Sequence, residues 1–145
     1  MKNIRQKRGY KMKFSTTEIK LCQDIAKKYR KEIKHYDEVI AKWKDGTIKI
    51  GRLFNKSVGI VDVGGNKKLY DYLYPDEIIP LWTLEDCLEF LRKKKWLFES
   101  LTQDDDYIWE LKLLSPDRTE IISTKGKTEK EPYLKAILAV LEKGK

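Results

Sequence analysis

The spacing of apolar residues changes repeatedly along this chain, and that change constrains the fold more than any other feature of the sequence. From Ser15 to Lys34 the apolar residues recur as on one face of a helix, at Leu21, Cys22, Ile25, Ala26, Tyr29 and Ile33. Beyond that point the period becomes two. Val39, Ala41 and Trp43 alternate with Glu38, Ile40 and Lys42, and past Asp45-Gly46 the residues Ile48 and Ile50 alternate with Thr47 and Lys49. Helical spacing returns at Leu84, alternation at Tyr107, and helical spacing again at Leu134. This segregation predicts an α+β protein: an N-terminal helix, a small antiparallel β meander or barrel, then a helix-strand-strand-helix sandwich.

Local signals place the boundaries. Residues 1–14 carry many cations and few apolar side chains, so ordering them would bury little surface, and a mobile basic arm is expected. An amphipathic basic helix over 15–35 opens with Ser15 and Glu18 at capping-box spacing and runs to about Lys34. Residues 36–81 form the meander, whose hairpin is followed by strands at Val58–Val63 and Lys67–Leu73. In 82–145, Thr83 with Asp86 caps a helix with Leu84, Cys87, Leu88 and Leu91 on one face, ending near Trp96. Strands follow at Tyr107–Leu113 and Thr119–Thr124. Thr128 with Glu131 then caps a last helix that turns Leu134, Ile137, Leu138 and Leu141 inward.

The formal charge of +8 is concentrated. Met1 to His35 holds twelve Lys/Arg against three acids, a net of +9, while the rest of the chain is close to neutral. Such a field attracts nucleic acid or an acidic protein face. Arg5, Lys7 and Arg8 on the arm and Lys27, Lys28, Arg30 and Lys31 on the helix are the expected contacts, because cations on an accessible segment neutralise phosphates and release counterions. Trp43, Tyr70 and Tyr72 join them as aromatic surfaces suited to stacking or to holding a cation.

Catalytic sets are sparse. With His35 the one histidine, Ser-His-Asp, Cys-His and multi-histidine metal sites are disfavoured. Cys22 and Cys87 stand alone and read as buried helical thiols. Glu110-Leu111-Lys112 has the Glu-x-Lys spacing of metal nucleases, but alternation puts Glu110 and Lys112 opposite Trp109 and Leu111, on the outer face, and Asp104, Asp105 and Asp106 read as a solvated turn. No cofactor, metal or small-molecule substrate is expected. No apolar run approaches the roughly 20 residues that span a bilayer, so a soluble protein without a membrane partner is expected.

Two stretches resemble known folds. Glu38–Leu81, with VIAKWKDGTIKIGRLF, VGIVDVGG and LYPDEIIPL, resembles small strongly bent barrels of the Tudor type. Trp82–Lys145, with WTLEDCLEFLRKK, YIWELKLL and EPYLKAILAVLEK, is similar to the small phage and prophage proteins with an ABA sandwich, departing from them in the run Arg92–Lys95 and in the preceding barrel-like segment. The second resemblance implies a phage or mobile-element origin and no activity to transfer. Basic residues at Met1–Lys13 with no apolar core behind them do not read as a secretory signal, so a place in the cytoplasm, of a bacterial host, is expected. The expected function is non-enzymatic: binding a host protein or nucleoprotein complex, inhibition of a defence system included. Sequence-tolerant nucleic-acid binding is the alternative, and a metal-dependent nuclease the enzymatic one.

Overall fold

The computed structural model describes residues 14–34, 37–54, 57–62 and 69–144, with the backbone alone at 54, 60–62 and 69–73. Most of the expected arm, with Arg5, Lys7 and Arg8, lies outside the described residues, as does His35. Among the described residues, three helices and two antiparallel sheets make an α+β chain. Its residues divide into two units, one containing 32–80 and the other Thr16–Lys31 with Leu81–Lys145. In chain order, therefore, the first sheet is inserted between the first helix of the second unit and the remainder of that unit.

The inserted unit is the meander. Strands β1 (Glu38–Lys42), β2 (Ile48–Phe54), β3 (Ser57–Asp62), β4 (Leu69–Leu73) and β5 (Glu77–Pro80) pair in the order β4-β3-β2-β1-β5, so the last strand returns beside the first. The β1–β2 hairpin turns at Asp45-Gly46 as expected. Gly46 adopts φ 94°, a left-handed conformation that favours glycine, and Asp45 accepts the Thr47 amide at 2.9 Å. Thr47, through its backbone and its hydroxyl, holds the Asp45 carboxyl below the usual range. Val39 and Ala41 pack with Val58, joined by Ile33, Trp43, Leu53 and Ile78. Ile40, which alternation assigns to the outer face, is fully buried too. A strand paired on both edges and covered on both faces loses the polar side that makes alternation visible. Asp76 fastens the return of β5, donating its amide to the Lys42 carbonyl at 3.0 Å and accepting the Lys44 amide at 2.7 Å.

The second unit layers helices on a three-stranded sheet. Helix α1 (Thr16–Ala26) and α2 (Leu84–Lys93) pack on α3 (Lys130–Lys143), which lies on β7 (Trp109–Leu114) and β8 (Ile121–Gly126); β6 (Leu97–Gln103) completes the order β6-β7-β8. Leu111, Leu113, Ile122, Leu134, Ala136 and Ile137 form the interior. Fully buried Trp82 meets Phe90 edge-on at 5.6 Å and Tyr29 at 6.1 Å. The Thr83–Asp86 capping box is present in both directions. At α3 the reciprocal bonds are shifted by one residue: Thr128 Oγ1 accepts the Glu131 amide at 3.2 Å, and Glu131 accepts the Lys127 amide at 2.8 Å. Gly126 ends β8 so close to this turn that a Cβ there would stand 2.4 Å from the Glu131 Cβ.

Two expectations are corrected. The first helix stops at Ala26 instead of continuing to Lys34, and Lys27, Lys28, Arg30 and Lys31 lie beyond it. No Gly or Pro marks this end. Continued as a helix, Lys27, Lys31 and Lys34 would stack like charges at helical spacing, whereas leaving the helix lets the Tyr29 ring lie 5.2 Å from Phe90 and Lys31 pair with Asp86. The C-terminal module also carries a third strand, β6, that the sequence pattern conceals. Glu99 is an extra residue in its pairing with β7, and an edge strand with such a bulge keeps no steady alternation.

Candidate functional site

The lysines expected to contact phosphate are drawn into ion pairs with the chain's own acids. Lys27 lies 3.7 Å from Asp24, Lys28 2.6 Å from Glu142, and Lys31 3.2 Å from Asp86. The first is exposed and worth little, about 0–1 kcal/mol. Lys31 is shielded, with 15% of its side chain accessible, and serves the capping aspartate of α2. Arg30 is exposed. Trp43 is half-buried against the meander core and shapes its hairpin, accepting the Gly46 amide and donating to the Thr47 carbonyl, both at 2.9 Å. Tyr70 and Tyr72 occupy β4 opposite Val61 and Gly59, and their side chains lie outside what is described.

Three helix ends converge on an open groove of about 1030 Å³ in the second unit. Lys27 and Lys28 follow α1, Lys94 caps α2, and Lys143 closes α3, each where a cation suits the partial negative charge of a helix C-terminus. The β7–β8 turn forms the facing wall with Ser115, Pro116, Asp117 and Glu120, and Trp96, Leu138 and Leu141 supply apolar lining. That wall is fixed by its own bonds: Ser115 Oγ donates to Asp117 at 2.6 Å and accepts the Thr119 and Glu120 amides. The Ser115 and Thr119 hydroxyls hold the Asp117 carboxyl down at about 2. Glu120 pairs with Lys143 at 3.1 Å. The groove offers apolar area framed by both signs of charge, which suits recognition by contact.

The two thiols and the carboxylate of Glu18 are enclosed. Cys22 and Cys87 are fully buried free thiols; burial pushes Cys22 up to about 11 against an opposing hydrogen bond from the Trp82 backbone, and burial raises Cys87 further. Glu18, buried on α1, accepts the Thr128 hydroxyl and faces Lys130 at 3.8 Å, while Lys130 donates to the Trp82 carbonyl. This network ties α1 to the start of α3. Glu110 accepts the Ser123 hydroxyl at 2.8 Å and Lys112 is exposed. No group of three or more metal-ligating side chains occurs among the described residues.

Sequence reasoning missed the groove and the exposed apolar residues of the second sheet, Leu97, Phe98 and Ile121. The groove draws on residues between 24 and 144 that share no motif. Leu97 and Phe98 did carry a signal, as apolar neighbours one residue beyond the basic run Arg92–Lys95. No family model, curated protein or solved structure matches the chain.

Proposed function

We propose that this chain acts by binding another protein, with the groove between the three helix ends as the docking surface. The observation that carries this reading is the pairing of apolar lining (Trp96, Leu138 and Leu141) with both lysines and carboxylates in one open recess. Asp24, Asp117 and Glu120 offset the lysines of the lining, so the recess presents a mixed field that suits a protein surface of mixed charge better than a uniformly anionic phosphate backbone. The resemblance of Trp82–Lys145 to phage ABA-sandwich proteins makes a bacterial host protein the partner of choice, a component of a defence system included.

The test is affinity capture of bacterial host proteins on the immobilised full chain, with nuclease treatment of both lysate and bait. A saturable protein partner that survives nuclease is expected. Recovery that disappears with nuclease would move the function to nucleic acid.

That second reading has one observation in its favour, the net +9 of Met1–His35. It expects nucleic-acid binding that falls steeply with salt and is lost on deleting residues 1–13.

A further inference from the structure

We infer that this chain associates with a second copy of itself along the free edge of β6. Among the described residues, strand β6 pairs with β7 on one side only and is the outermost strand of its sheet. Its seven residues are largely open, with Leu97 40% and Phe98 58% exposed, where edge strands are usually shortened or charged. One such guard is present, the bulge at Glu99. It interrupts the strand at a single position and leaves Ser100 to Gln103 in regular register.

The identity of the occupant follows from charge. β6 begins one residue, Trp96, after the exposed basic run Arg92–Lys95 and ends directly before the exposed acidic run Asp104–Asp106. Among the described residues, Arg92, Lys95, Asp105 and Asp106 enter no ion pair. An antiparallel copy about a two-fold axis near Ser100 sets the start of each strand beside the end of the other. Lys94 and Lys95 of one copy then approach Asp106 and Asp105 of the second, and symmetry repeats the contact. The same pairing continues the sheet from three to six strands, brings Phe98 against Thr102 of the second copy, and opposes no cation to a cation. A parallel arrangement would stack basic on basic and acidic on acidic.

Sedimentation velocity of the full chain tests this, from low micromolar to several hundred micromolar and at low and high salt. A reversible dimer that weakens with salt is expected. The double variants K94E/K95E and D105K/D106K each carry one sign at both ends of β6, and each raises the dissociation constant by about tenfold or more. An equimolar mixture of the two restores pairing as a heterodimer, because each supplies the charge the other lost. Circular dichroism checks that the variants are folded, and K95E alone, beyond the last turn of α2, replaces the first if that helix end frays. A chain that stays monomeric throughout overturns the inference. So does a dimer indifferent to both variants, or a mixture of folded variants that fails to pair.

Discussion

Trp82 and Gly126 are two residues whose replacement the second unit tolerates poorly. Trp82 is fully enclosed and orders Tyr29 and Phe90 around it, so Trp82→Ala removes the centre of an aromatic cluster and should cost about 3–5 kcal/mol. Gly126→Ala drives a methyl into Glu131 and Pro132 and should destabilise by about 1–3 kcal/mol, through strain and not through lost contact. Urea denaturation of both variants separates them from harmless surface changes. Asp117 gives a pH prediction. Its carboxyl is depressed to about 2, so its contribution to stability is complete above the ordinary carboxylate value and is lost as pH falls from about 4 through about 2. Carboxyl NMR should place its titration near the lower value; a midpoint near 4 would mean that Ser115 and Thr119 do not hold it. Cys22 and Cys87, protonated and enclosed at neutral pH, should react with a thiol reagent only as the chain opens. Rapid modification of the folded chain would contradict the placement of both.

At the scale of elements, the clearest test is the capping box of α2. Thr83→Ala removes the oxygen that accepts the Asp86 amide and should cost about 1 kcal/mol by chemical denaturation. This box was legible because capping is local: a hydroxyl and a carboxylate three residues apart serve backbone groups within the same turn. The Asp45-Gly46 hairpin was legible for the same reason. The end of α1 was not, since the sequence beyond Ala26 contains no breaker and the chain departs to satisfy Trp82, Phe90 and Asp86, more than fifty residues away along the sequence. Strand β6 escaped because its bulge breaks alternation, and Ile40 was assigned outward because a doubly covered strand hides its period. The candidate site was the least legible. Lysines 27, 28 and 31 stood out as a cluster by count alone, but only the fold brings them beside Asp24, Glu142 and Asp86.

At the scale of the molecule, charge and fold point in different directions. The formal excess lies in the first quarter of the sequence, while the described cations of that segment are largely committed to carboxylates of their own unit. What the second unit presents is a recess of mixed polarity at three helix ends, with both cysteines buried beneath its surface. Contact through that recess is the central claim. Leu141→Lys tests it most directly: the change adds a charge to the apolar lining while placing a cation where the end of α3 favours one, so the fold should hold. Compared with the parent chain in nuclease-treated capture of host proteins, the variant should lose most of the recovered partner. Equal recovery by both folded proteins would contradict the assignment of the groove.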